Sequence, residues 1–204
     1  RGPISDWNDV SQLTSHDVHG LPDLAQENEE VYRYLMEATV KWARALRPVG
    51  LRLDAVKHVP LEFWARFNGE LRTRLSFPIT LVGEMYEGSP SSQARVQREG
   101  NFDAMFDFPL YFAQVDVFCK DAPAFRLASV LSQDSVYARP QSLWTFADNH
   151  DLPRILSDCG DDSNKVAHLL TFQLLARGTP SLSWGTEYGA RGSAEPHNRP
   201  SLSP

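Results

Sequence analysis

Apolar residues along this chain follow two periods. Short runs change face every second residue, and longer stretches repeat at three- and four-residue steps. The first helical stretch opens at Asn28, a good cap, with Glu29 and Glu30 in the first turn, where the helix dipole favours acids. Val31, Leu35, Ala38, Trp42 and Leu46 then share one face, predicted to be buried, and Pro48 stops the helix. Leu51, Leu53 and Val56 predict a strand between Gly50 and Pro60. Pro60 opens a second helix whose buried stripe is Phe63, Trp64, Phe67, Leu71 and Leu75. Pro78 to Tyr86 is a second strand. A polar connection over 87–101 follows, helix-compatible around Ala94 to Arg98. Asn101 to Leu110 reads as a third, aromatic strand, and Leu143 to Ala147 as a fourth. Between them a helix is predicted from about Pro123 to Leu131, with Phe112 to Cys119 also helix-compatible. Asn164 to Arg177 is a helix with Val166, Leu169, Leu170 and Leu174 inward and Gly178 past its end. Ser181 to Trp184 is a last short strand before a Gly-rich loop.

Strands alternating with helices predict βα units and a parallel sheet. Asp54, Glu84 and the Asp148 to Asp151 run all fall at the C-terminal ends of strands, where parallel α/β sheets place their chemistry. If Leu51 and Leu53 face one apolar layer, Arg52 and Asp54 point together to the other side. A charged pair on an apolar strand is costly unless the two groups serve each other or a ligand. Lys57 and His58 follow where the strand should end. About five strands are counted, against eight for a closed barrel, so the sheet is either open or an incomplete barrel.

Composition narrows the classes. Of 204 residues 42% are hydrophobic and 23% charged, ordinary for a globular protein. The net charge of −6 and the lack of a Lys/Arg stripe argue against nucleic acid as a partner. No apolar run approaches the roughly 20 residues of a membrane span. Cys119 and Cys159 either pair or stay free, and they leave the compartment open. The chain begins at Arg1 without Met or a signal-peptide pattern and reads as a processed or truncated piece.

Arg52-Leu53-Asp54-Ala55-Val56-Lys57-His58 resembles the nucleophile motif of the α-amylase family, glycoside hydrolase family 13. Leu81-Val82-Gly83-Glu84-Met85-Tyr86 resembles the family's acid/base motif, and Phe146-Ala147-Asp148-Asn149-His150-Asp151 the motif with the transition-state acid and a sugar-binding histidine. Gly178 to Tyr188, with Trp184-Gly185-Thr186-Glu187, resembles its last barrel strand, and the motifs stand in family order from about Gly20 to Arg199.

The resemblance implies the C-terminal part of a (β/α)8 barrel over 28–204, about its fourth to eighth strands. Residues 1–27, poor in periodicity, would be a remnant of an inserted loop subdomain. It implies a retaining α-glycosidase acting on α-1,4-glucan, with Asp54 as nucleophile, Glu84 as acid/base and Asp151 as stabilising acid. Arg52, Lys57, His58 and His150 would bind substrate. Gly20-Leu21-Pro22-Asp23-Leu24 resembles a motif whose aspartate helps hold structural calcium, which makes Asp23 and the main chain of His58 candidate metal ligands. The family's first motif, an Asp-to-Asn-His stretch, has no counterpart here. The alternatives are a transglycosylase of the same family, an inactive fragment, and a non-catalytic relative such as a transporter heavy chain. Compartment leans extracellular.

Overall fold

The computed structural model of the chain describes residues 2–201. It forms two compact units: one runs to Tyr86 and resumes over Ser92–Met105, and the other takes Glu87–Ser91 and the chain from Phe106 onward.

The first unit begins with an irregular segment holding the short helix α1 (Val10–Leu13), capped by the Asp9 carboxylate. Helix α2 (Glu29–Leu46) starts on Asn28, whose side chain accepts the Glu30 N–H, and it ends on Arg47 in the left-handed conformation. Strand β1 (Gly50–Leu53), helix α3 (Leu61–Arg74), strand β2 (Thr80–Gly83), helix α4 (Pro90–Glu99, which belongs to this unit from Ser92) and strand β3 (Ala104–Met105) follow. The strands form one parallel sheet in the order β1-β2-β3, with Leu53 opposite Gly83 and Gly83 opposite Met105. Trp64, Phe67 and Leu71 of α3 are buried as the sequence predicts, with Leu81 and Val82 of β2.

Helix α2 departs from its predicted face. Tyr32, Met36, Val40 and Ala43 are buried, whereas Trp42 is 60% and Leu46 71% exposed. The helix carries two apolar stripes about one residue apart. Tyr32 wins the inward position because its ring packs edge-on against Phe63 and Phe67 while its hydroxyl donates to Glu70 at 2.7 Å.

The second unit contains α5 (Phe108–Phe118), α6 (Phe125–Leu131), β4 (Trp144–Phe146), α7 (Ile155–Asp158), α8 (Ser163–Leu175) and β5 (Thr179–Ser181). Strands β4 and β5 pair in parallel, Trp144 opposite Thr179 and Phe146 opposite Ser181. The aromatic stretch read as a strand through Leu110 turns helical at Phe108, because the buried Asp107 carboxylate caps α5 and Pro109 fits its first turn. The last strand begins earlier than Ser181: Thr179 and Pro180 already lie in the ladder, at a sheet edge that tolerates proline. On α8 Val166 and Leu169 face inward as expected, while Leu174 is exposed and Gln173 takes the buried position. Gln173 earns burial by donating to the carbonyls of Thr145 and Ser181, one on each strand.

Tyr111 stacks on Phe146 with ring centres 5.0 Å apart, and Phe108 meets the same ring edge-on. Cys119 and Cys159 are joined as a disulfide inside this core. Arg177, just beyond α8, ties Asp107 to Asp134. Gly178 follows at φ +106°, where an added Cβ would stand 2.8 Å from the Leu143 carbonyl oxygen.

Candidate active site

Three charged side chains of the first unit meet at the C-terminal ends of β1 and β2. Arg52 leaves β1 on the same side as Asp54, as strand alternation requires. One guanidinium nitrogen, Nη1, lies 2.8 Å from Asp54 Oδ1, and Nη2 lies 2.6 Å from Glu84 Oε1. The acids sit differently: the Asp54 side chain is 69% exposed and that of Glu84 13%. Burial raises the Glu84 carboxyl above its ordinary value of 4.5. The Arg52 cation works against that rise, and the hydrogen bond and negative charge of Asp54 add to it.

The backbone fixes this geometry. Glu84 N–H donates to the Leu53 carbonyl and Val56 N–H to the Glu84 carbonyl, each at 2.9 Å, so Asp54 and Ala55 span two hydrogen bonds to a single residue. Ala55 adopts φ +49°, ψ +39°, the left-handed region a non-glycine residue rarely takes, and this turns the chain out of the strand. Lys57 and His58 lie on the 3-10 turn that follows, and the Trp64 indole N–H anchors that turn at the Val56 carbonyl, 3.1 Å away. His58 Nδ1 lies 3.1 Å from the Leu13 carbonyl oxygen, which can only accept, so that nitrogen carries the proton. Trp7 meets the His58 ring edge-on.

Gly83, beside Glu84, is small because of its packing. A Cβ there would stand 2.8 Å from Met105 Sδ and 3.1 Å from Phe102 Cδ1, so its space belongs to packing against β3.

In the second unit, the turn after β4 carries His150 and Asp151, with His150 Nε2 3.2 Å from Asp151 Oδ2. Beneath it Asp148, 1% exposed, accepts from Ile155 N–H at 2.9 Å and Thr186 Oγ1 at 2.7 Å, and it forms an ion pair with the equally buried Arg154. Arg154 Nη2 also donates to the Trp184 carbonyl at 2.6 Å, joining the loop after β5 to this turn. His150, Arg154, Ser183, Trp184, Asn198 and Arg199 are among the residues lining a cavity of about 390 Å³.

Sequence reasoning passed over Asn198 and Arg199, which reach back to the His150–Asp151 turn. Their only signal is a polar Asn-Arg pair after Pro196, in a segment without periodicity.

The calcium positions offer few donors. The Asp23 carboxylate accepts from Gln26 Nε2 at 3.0 Å, and no three His, Cys, Asp or Glu side chains converge among the described residues. One carboxylate and one main-chain oxygen fall short of the roughly six to eight oxygens calcium takes. No helix among the described residues is long and apolar enough to cross a membrane.

The family model for the α-amylase catalytic domain matches residues 5–201. A β/α-amylase of Paenibacillus polymyxa is 34% identical over 97% of this chain, which spans 17% of that protein. The crystal structure of an α-amylase from Geobacillus thermoleovorans complexed with acarbose superposes with a TM-score of 0.91 at 35% identity, covering 98% of this chain and 46% of that one. A cyclomaltodextrin glucanotransferase superposes with a TM-score of 0.91 at 31% identity, covering all of this chain and 42% of its own.

Proposed function

Because the chain belongs to the α-amylase catalytic-domain family of glycoside hydrolases, we propose that it supplies the catalytic acids of a retaining α-glycosidase acting on α-1,4-glucan. On this reading it is the part of a TIM-like barrel from about the fourth strand to the eighth, with residues 1–27 a remnant of an inserted loop.

The observation that carries the proposal is Arg52 held between Asp54 and Glu84 at two adjacent strand ends. Retention needs a pair of carboxyls with unequal duties about 5 Å apart. Asp54, open to solvent, attacks the anomeric carbon as the glycosidic C–O bond breaks, and Glu84 gives its proton to the leaving oxygen. Water then attacks the same carbon and yields a proton to Glu84 as the bond to Asp54 breaks. The raised affinity of Glu84 for its proton suits a group that must start as an acid. Asp151 and His150 are assigned to the oxocarbenium-like charge and ring hydroxyls on the strength of their motif, and Lys57 and His58 to sugar hydroxyls.

Transglycosylation is the second reading, favoured by the similarity to a cyclomaltodextrin glucanotransferase. It shares the first step and replaces water with a sugar hydroxyl.

The test is cleavage of a blocked maltooligosaccharide by the chain and by Asp54→Asn, with a fluorinated glucosyl fluoride to trap the intermediate. Expected are a fall in rate of roughly 10⁴-fold or more, as when a triad member is removed from a hydrolase, and a glycosyl group on the Asp54 peptide. An inactive wild type, or an Asp54→Asn variant that keeps its rate, overturns the proposal. Products with added acceptor sugar select the second reading.

A further inference from the structure

The Asp148–Asp151 turn is gripped on two sides within the second unit. On the inner side are Asp148, Arg154 and Thr186. On the other, the Asn198 side-chain N–H group donates to the carbonyl oxygens of His150 at 3.0 Å and Leu152 at 3.1 Å. Arg199 Nε donates to the same His150 carbonyl at 2.9 Å, and its Nη2 reaches Asp151 Oδ1 at 2.8 Å. The other Asp151 oxygen faces His150 Nε2. Glu195 pairs with the Arg199 guanidinium and orients it in turn.

This differs from an ordinary surface ion pair in how the donors are spent. A flexible pair joins charge to charge and nothing else. Here a planar, rigid guanidinium bonds both a carboxylate and a main-chain carbonyl of the preceding residue. The distance and angle between Asp151's carboxyl and its own backbone are thereby set from outside. Asn198, 2% exposed, adds two more bonds to the same turn from a position where water cannot replace it.

We propose that Asn198 and Arg199 are positioning residues for Asp151: they hold its carboxylate in one orientation, to which the Asn149–Leu152 turn itself contributes the His150 ring, 3.2 Å away. The catalytic part of this inference rests on the assignment of Asp151 above; the clamp itself does not.

Hydrogen exchange of the 204-residue chain without substrate reads the clamp directly. The Asp151 amide is bonded to Asn149 Oδ1 and the Leu152 amide to the Asn149 carbonyl. In Arg199→Lys and Asn198→Ala, exchange at these two amides should quicken about 10-fold, a local opening, while α8 keeps its protection. Lysine retains the charge but cannot hold carboxylate and carbonyl together, so its failure to rescue separates fork geometry from charge. Unchanged exchange in both variants, or equal acceleration along α8, overturns the clamp.

In steady-state assays Arg199→Lys should lower kcat about 10- to 100-fold with KM nearly constant, the cost of a small misplacement of a reacting group. A raised KM at constant kcat would make Arg199 a substrate ligand instead and overturn the positioning role. A chain that cleaves no glucan sinks the functional reading, and the exchange pattern still decides the clamp.

Discussion

In the first unit Arg52 divides one guanidinium between two acids at open strand ends, whereas in the second Arg154 closes on Asp148 inside the protein. Asp54 stays mostly exposed, and Glu84 is half relieved by a cation it must share. Asp148 has its oxygens bonded to a main-chain N–H and a hydroxyl besides the arginine. Glu84, half buried beside a cation it shares with a second acid, binds its proton more tightly than usual. An acid enclosed by fitted donors, as Asp148 is, serves as structure. Two Arg–Asp pairs on the same kind of strand end can therefore have opposite uses, and exposure and donor count tell them apart better than residue type.

The comparison breaks most visibly in stability. Asp148→Ala leaves Arg154 buried and uncompensated, an expected loss of about 3–5 kcal/mol, against less than about 1 kcal/mol for Asp54→Ala. Urea unfolding midpoints for both variants check this, and equal losses would erase the distinction. Next comes the covalent tie of the second unit. Its ring spans 40 residues, so Cys159→Ser should cost about 2–4 kcal/mol, measured with and without reductant.

A smaller effect carries a sign. Glu84's folded proton affinity exceeds its unfolded one, so the stability it contributes is fully present below pH 4.5 and lost as pH rises through its folded value. Glu84→Gln should therefore melt a few degrees above wild type at pH 8 and converge with it in acid, while losing activity. Thermal melts across pH decide it, and a variant less stable at pH 8 would reverse the sign. On the alkaline side, activity of the wild type should fall as Glu84 loses its proton. Least of all, Ala55→Gly should shift stability by under about 1 kcal/mol, because relief of the left-handed backbone is offset by a freer unfolded chain. A calorimetric scan would show it.

The strand-end acids were legible because alternation and helix period are local properties of the sequence. Arg52 and Asp54 share a face for the reason their spacing gives. Glu84 beside them needed the parallel pairing of β1 with β2, which spacing does not specify. The face of α2 was misjudged because two stripes compete on that helix, and only Phe63 and Phe67 of another helix decide for Tyr32. The reason Gly83 lacks a side chain is not local: what fills its space is Met105, 22 residues on by sequence position and next to it only through β3. Gln173, Asn198 and Arg199 bond to main-chain oxygens, which every residue carries, so the sequence cannot announce their partners.

The link between Cys119 and Cys159 has one more consequence. It encloses α6, β4, α7 and the loops that join them. A protease that cuts once anywhere in that circle severs the backbone without releasing a piece. Nicked and intact molecules would then run together on a gel until a thiol is added, and purity judged without reductant would be overstated.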